Sequence, residues 1–222
     1  MCGRFSLTRP TDAMAQLFAA TPANDLPDLP NYNICPTNNV HAITSDNDAR
    51  RLKAMRWGFL PHWYKSPTDG PLLINARAET IAEKPAFKSA ARTRRCLIPA
   101  TGFFEWTKDS EGTRLPWYIR RVDEEPLVFA GVWQVWEKGD TSVVTCAIVT
   151  CAANHTMSQI HHRMPVILTE ETWPLWLGEA GHGAATLMRA APDDALAFHR
   201  VDRRVNSNRA SGADLIEPMG AG

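Results

Sequence analysis

The order of strand-like and loop-like segments is what most constrains the fold of this 222-residue chain. Runs rich in Val, Ile, Trp and Tyr predict β-strands, because β-branched and aromatic side chains suit a pleated, half-buried surface. These runs lie at 40–45, 52–58, 96–99, 117–121, 127–135 and 143–150. Regular alternation of strands with helices is missing, which argues against a doubly wound fold. We therefore predict an α+β fold around a mostly antiparallel, barrel-like β-sheet with flanking helices.

Helices and irregular segments are predicted between and around these strands. Residues 11–20 read as a short amphipathic helix, and a second helix is expected near 79–92. Residues 21–38 are rich in Pro and Asn, which predicts an irregular wrap, and a Pro/Gly-rich loop is expected at 65–71. No change of composition marks a seam between two domains.

Composition indicates the class of protein and the cellular compartment to expect. With 44% hydrophobic and 22% charged residues the chain is ordinary for a soluble globular protein, and apolar runs such as 127–130 are too short to span a bilayer. The N-terminus does not read as a secretory signal, and five cysteines without paired spacing do not form a disulfide framework. We expect a cytoplasmic protein. A formal net charge of zero argues mildly against a long nucleic-acid footprint, but a short one remains possible.

Three short segments mix polar and bulky residues in ways that a plain core does not need. They are 75–79 (Asn-Ala-Arg-Ala-Glu), 102–106 (Gly-Phe-Phe-Glu-Trp) and 160–165 (Ile-His-His-Arg-Met-Pro). Taken singly, Asn75 suits a helix cap, Glu105 a paired structural acid and His161 a core histidine. His161 and His162 would point to opposite faces of a strand, and no third ligand follows at metal-site spacing. We therefore predict no metal and no other cofactor.

The residue that says most about chemistry is Cys2. Its small side chain permits removal of Met1, which leaves an α-amine (reference pKa about 7.7–8.0) and a thiol (about 8.5) on one residue. Both groups are partly deprotonated near neutral pH. The amine of such an aminothiol condenses with an aldehyde to an imine, and the sulfur then closes a thiazolidine ring. By position alone, Cys2 is either a nucleophile or simply a small residue that suits Met1 removal.

A set of motifs in a fixed order connects these segments to a known family. The motifs are 1–5 (Met-Cys-Gly-Arg-Phe), 32–36 (Tyr-Asn-Ile-Cys-Pro), 57–59 (Trp-Gly-Phe) with Pro61, 75–80, 96–99 (Cys-Leu-Ile-Pro), 102–106 and 160–165. In them the chain resembles the SOS-response-associated peptidase (SRAP) family, the abasic-site processing proteins of bacteria and eukaryotes. The likeness covers about residues 2–218 and so implies one domain over 1–222. Cys35 stands where the family often has a small apolar residue, and we interpret it as a packed substitute.

The resemblance implies a sensor of abasic sites in single-stranded DNA that crosslinks itself to the lesion and protects it during replication or repair. The family's catalytic positions fall on Cys2, Asn75, Glu105 and His161. Glu105 would hold the α-amine, His161 would move protons, and Asn75 would orient the sugar or the Cys2 main chain. The DNA contacts expected from the same motifs are Arg4, Arg77 and Arg163 on phosphates and Trp57, Phe59 and Trp63 on bases.

Two other functions remain open from the sequence. Cys2 could attack an amide carbonyl, as in an N-terminal-nucleophile autopeptidase or amidohydrolase, and could release Met1 in this way. Alternatively, the chain could be a non-catalytic single-strand-binding module in which Cys2 only packs. The expected partner is DNA rather than a membrane, and we expect a monomer with an associated lyase activity through the same imine.

Overall fold

A computed structural model describes residues 2–47 and 49–220 of the chain. The strands are β1 (Phe5–Leu7), β2 (Ala20–Pro22), β3 (Asn31–Ile34), β4 (Asn39–Asp46), β5 (Ala49–Trp57), β6 (Asn75–Arg77), β7 (Arg95–Ala100), β8 (Gly102–Lys108), β9 (Arg114–Arg121), β10 (Leu127–Lys138), β11 (Thr141–Ala152), β12 (Arg163–Pro165) and β13 (Leu196–Arg200). The helices are α1 (Thr11–Leu17), α2 (Lys88–Thr93), α3 (His155–Ser158) and α4 (Trp173–Leu177). Four 3₁₀ turns occur in the described C-terminal third, at Glu170–Thr172, Ala184–Leu187, Arg203–Asn206 and Ala213–Ile216.

Five strands close into a barrel. β5 pairs with β4, β4 with β7, β7 with β10 and β10 with β11, all antiparallel. β11 then pairs with β5 in parallel, so each of the five strands is hydrogen-bonded on both sides. The short strands β2, β6 and β12 extend this sheet. The predicted α+β fold with a mostly antiparallel, barrel-like sheet is confirmed.

A second sheet, with the order β13-β9-β8-β1-β3, packs on the barrel. The contact is aromatic: Phe5 of β1 meets Trp57 and Phe129 edge-on, with ring centroids 5.1 and 5.9 Å apart. Burying such rings provides most of the favourable free energy for joining two layers. Because β1 begins three residues after Cys2, the same packing anchors the N-terminus inside the molecule.

The predicted strands are found as β4, β5, β7, β9, β10 and β11, whereas the helix predictions are only partly right. The helix expected near 79–92 is wrong over most of its length, because residues 78–87 form turns and only α2 is helical. Pro85 lies in that stretch and lacks the N–H that a helix needs. The helix expected at 11–20 ends at Leu17, since Ala19 takes a left-handed φ of 48°.

Cys96 and Cys146 are fully enclosed in the barrel. Cys35 is also buried, and its thiol donates to the main-chain oxygen of Asn33 at 3.3 Å. Over residues 2–47 and 49–220, no helix has the length and apolar character needed to cross a membrane.

Candidate active site

Cys2 lies at the inner end of the segment that leads into β1, and only 1% of its surface is exposed. The side-chain amide of Asn75 donates from Nδ2 to the Cys2 carbonyl oxygen at 2.9 Å. Asn75 opens β6, which pairs in parallel with the barrel strand β11. It does not cap a helix, so the structural interpretation of Asn75 is wrong. The barrel therefore holds the amide that orients the Cys2 main chain.

Glu105 approaches Cys2 from the second sheet. It lies in the middle of β8, opposite Trp117 of β9, and its side chain is almost fully buried. Burial and then the negative charge of Glu105 raise the pKa of the Cys2 thiol well above its usual range. The thiol is therefore protonated at neutral pH in this arrangement.

His161 lies between α3 and β12, and its ring faces the Arg163 main chain. Its Nδ1 is 3.0 Å from the Arg163 main-chain nitrogen and 3.1 Å from the Arg163 carbonyl oxygen. The His161 and His162 rings stack with centroids 4.3 Å apart. The prediction that they point to opposite faces of a strand is wrong, because both precede β12. The charge on His161 lowers the pKa of the His162 imidazole.

Two grooves meet the site. The first, of about 290 Å³, is lined by Gly3, Arg4, Glu105, Trp106, Lys108, Arg114 and His161. The second, of about 530 Å³, is lined by Trp63, Leu73, Asn75, Arg77, Thr80, Lys84, Pro85, Ala86 and Phe87. Cys2 connects them, because its carbonyl bonds to Asn75 and its chain continues into Gly3. The fold thus gathers Cys2, Asn75, Glu105 and His161 from four separate parts of the sequence.

The aromatic residues predicted to contact bases do not all reach the surface. Trp57 and Phe59 are fully buried, with Trp57 Nε1 donating to the Ile74 carbonyl at 3.0 Å and Phe59 packed on Phe87. The prediction that these two residues stack on bases is wrong, because neither ring has a face open to a ligand. Trp63 is 46% exposed and lines the second groove.

The three arginines predicted to hold phosphates are in different settings. Arg4 donates from Nη1 to Asn33 Oδ1 at 2.7 Å and to the Val205 carbonyl at 2.8 Å. Arg163 forms a two-pronged ion pair with Glu79, at 2.7 and 2.9 Å. Arg77 is exposed on the wall of the second groove. Of the three, Arg77 has the most accessible setting for a phosphate.

Sequence reasoning missed several residues around the first groove. Two guanidinium groups approach the ring of Trp106, with the Arg4 and Arg114 carbons 5.9 and 4.6 Å from its centroid. Lys108 adds a further cation on the same wall. Trp106 and Lys108 lie two positions apart on β8 and so share one face of the strand, and that two-residue period was the available signal.

The fold, the buried N-terminal cysteine and its Asn75, Glu105 and His161 neighbours define one family. Residues 1–208 match SOS response associated peptidase (SRAP), and the chain belongs to this family. The family predicted from the motifs is therefore confirmed.

Particular relatives cover almost the entire chain. It is 35% identical to the abasic site processing protein YoqW of Bacillus subtilis (strain 168), over 98% of this chain and 99% of the relative. It is 32% identical to the abasic site processing protein YedK of Escherichia coli (strain K12), over 99% and 100%. Among solved structures, a Bacteroides thetaiotaomicron protein aligns with a TM-score of 0.85 at 25% identity, over 98% of this chain and 100% of that one. A phage-related protein from Bordetella bronchiseptica aligns with a TM-score of 0.71 at 28% identity, over 91% and 95%.

Proposed function

We propose that this protein processes abasic sites in single-stranded DNA by covalent capture through Cys2. Relatives at 35% and 32% identity carry the name abasic site processing protein, which supports the lesion as substrate. The observation that carries the mechanism is the placement of Cys2, whose carbonyl is held by Asn75 at 2.9 Å beside the Glu105 carboxylate. The nucleophile of the proposal is thus oriented before DNA arrives.

The proposed reaction begins once Met1, which lies outside the described residues, has been removed. The Cys2 α-amine attacks the C1′ aldehyde carbon of the ring-opened abasic sugar, and loss of one water gives an imine. The thiol sulfur then adds to the imine carbon, while the thiol proton passes to the nitrogen. The product is a thiazolidine that joins Cys2 to the DNA, with one water released overall and no change of oxidation state.

The electrostatics of the site support an order in which the amine attacks first. Since burial and Glu105 raise the pKa of the Cys2 thiol, little thiolate is present near neutral pH. The same carboxylate is placed to stabilise a cationic iminium, which is the species that needs a nearby anion. In the proposal, His161 donates the proton that opens the sugar ring and assists departure of water.

The raised thiol pKa also bears on the alternative function. An autopeptidase or amidohydrolase would need a Cys2 thiolate to attack an amide carbonyl. Burial and then the Glu105 charge disfavour that thiolate, and this supports amine-led capture over amide hydrolysis. Strand scission by a lyase route would proceed from the same imine and is part of the proposal.

DNA would run along the two grooves. In the proposal Arg77 holds a phosphate and Trp63 stacks on a base, because both side chains are exposed on the second groove. Glu105 and His161 would meet the sugar from the first groove. We further infer that residues 1–222 act as one domain, since the two sheets share one hydrophobic core. We also propose that the protein works as a cytoplasmic monomer.

A denaturing gel tests the proposal with matched abasic and intact single strands. We expect an adduct that survives denaturation with the abasic strand only, and its loss in Cys2→Ala or behind an N-terminal tag that retains Met1. Cys35→Ala is the matched control, since Cys35 is buried and bonded to Asn33. An adduct formed by Cys2→Ala at full yield would refute the mechanism. Spontaneous loss of Met1 in protein made without methionine aminopeptidase would instead favour the autopeptidase.

A further inference from the structure

The main chain of Arg163 offers His161 a partner in each of its protonation states. The Arg163 N–H is 3.0 Å from His161 Nδ1, and the Arg163 carbonyl oxygen is 3.1 Å from the same nitrogen. In the neutral imidazole, Nδ1 accepts from the N–H, which leaves the ring proton on Nε2. In the imidazolium, Nδ1–H donates to the carbonyl. A small shift of the ring therefore keeps Nδ1 bonded while the histidine gains or loses a proton.

The position of this main chain depends on the side chain that it carries. β12 has only three residues and pairs with β11 on one side, Arg163 lying opposite Ala152. The Arg163 guanidinium is bound by both oxygens of Glu79, at 2.7 and 2.9 Å, and donates to the Thr150 carbonyl at 2.8 Å. The side chain of Arg163 is 11% exposed. Two-pronged pairing of this kind fixes orientation as well as distance.

Glu79 remains ionised under all ordinary conditions. The hydrogen bonds from Arg163 lower the pKa of its carboxyl group to about 2. The ion pair is therefore present throughout the pH range in which a histidine titrates.

We propose that Glu79 is a positioning residue, which acts through Arg163 to set the orientation and tautomer of His161. Glu79 itself touches neither DNA nor the reacting atoms in this proposal. The role deepens the proposed function and rests on it for the kinetic test, but the tautomer of His161 can be measured independently. It also gives Arg163 a different task from the phosphate contact expected from its motif.

The charged and titratable groups around His161 determine how the test is read. His162 stacks on it, and Glu105, Arg4, Lys108 and Arg114 line the same groove. None of these groups is replaced in the Glu79 variants, so we expect a changed profile to report the loss of the ion pair.

The matched control is the ion pair of Arg50 with Glu179. It has the same two-pronged geometry, at 2.9 and 2.7 Å, and its side chains are 18% and 13% exposed. It joins β5 to the residues just after α4, in a different part of the fold from β12. In the pair under test the Arg163 and Glu79 side chains are 11% and 50% exposed, so the acidic partner of the control is the more buried one. Glu179→Gln therefore reports what the loss of a two-pronged pair that is no more exposed does to the fold alone.

The experiment compares wild type, Glu79→Gln, Glu79→Ala and Glu179→Gln in two measurements. The first is the ¹⁵N spectrum of the histidine rings, with His161 assigned by its loss in His161→Gln. The second is the pH profile of the crosslinking rate with an abasic single strand. We expect wild-type His161 to be protonated on Nε2 when neutral, and both Glu79 variants to show mixed tautomers. We expect the crosslinking rates of both Glu79 variants to fall roughly 10- to 100-fold, as for a misplaced catalytic group. In their pH profiles, the change in rate that accompanies histidine titration should move to a different pH from that of wild type.

Several results would overturn the proposal. One is an unchanged His161 spectrum in a folded Glu79→Ala, with crosslinking within twofold of wild type. Another is an equal change in Glu179→Gln, which would mean that general stability is responsible. If Arg163→Lys lost DNA affinity while its His161 spectrum stayed unchanged, the result would favour the predicted phosphate contact of Arg163 over a role through His161. Absence of crosslinking in wild type would reject the proposed function, while the spectrum would still decide the role of Glu79.

Discussion

Replacing Asn75 by alanine is the most direct test of how the site is oriented. The substitution removes the donor that lies 2.9 Å from the Cys2 carbonyl oxygen. Leaving a buried acceptor without its partner costs about 1–3 kcal/mol. If that cost falls on the arrangement needed for attack, the crosslinking rate drops roughly 5- to 150-fold, at about 1.4 kcal/mol per factor of ten. Asn75→Asp should lose more, because its carboxylate would face the carbonyl oxygen.

The assay is a single-turnover denaturing gel with protein in excess over an abasic single strand, so that the rate reports the chemical step. Gln134→Ala is the matched control, because the buried Gln134 amide donates to another main-chain oxygen, that of Leu60. We expect this control to lower the unfolding temperature and to leave the crosslinking rate within twofold. A folded Asn75→Ala that crosslinks as fast as wild type would refute the role given to Asn75.

Two further predictions concern DNA binding and stability. Trp63→Ala should weaken binding of an intact single strand by about 1–3 kcal/mol in a fluorescence anisotropy titration, since Trp63 is 46% exposed on the second groove. Unchanged affinity would exclude it as a stacking platform. Burial lowers the pKa of His41 to about 4, so the unfolded chain binds the extra proton as pH falls from about 6.5. The free energy of unfolding should therefore decrease by up to about 1.4 kcal/mol per pH unit between those values. Urea titrations at several pH values should show that the free energy of unfolding depends less on pH in His41→Gln than in wild type. Equal pH dependence in the two proteins would contradict this role of His41.

The long strands were predictable because their composition reflects a local requirement. Runs such as 127–135 and 143–150 are rich in Val and Trp, and they form β10 and β11. Short strands such as β6 and β12 were missed, since three residues carry too little periodicity to distinguish a strand from a loop. The helix expected near 79–92 failed for a different reason: Pro85 cannot continue a helix, and the turns bury Ile81 and Phe87 in the core.

The DNA contacts show where a motif stops being informative. Trp57 and Phe59 belong to a motif of the family, but that motif gives no exposure, and both rings are enclosed by the barrel. The motif of Arg163 likewise does not show that its side chain is paired, whereas the fold brings Glu79 to it from 84 positions away. Burial and ion pairing over such separations depend on the packing of both partners.

The sequence by itself determined the α+β class, the family and the identity of the four candidate catalytic residues. These follow from strand composition and from short motifs in a fixed order, which are local properties of the chain. Only the tertiary structure decided that Asn75 holds the Cys2 carbonyl, that burial and Glu105 raise the pKa of the thiol, and that Arg163 faces His161. Each of these is a contact between distant segments, and its distance and degree of burial depend on how the two sheets pack.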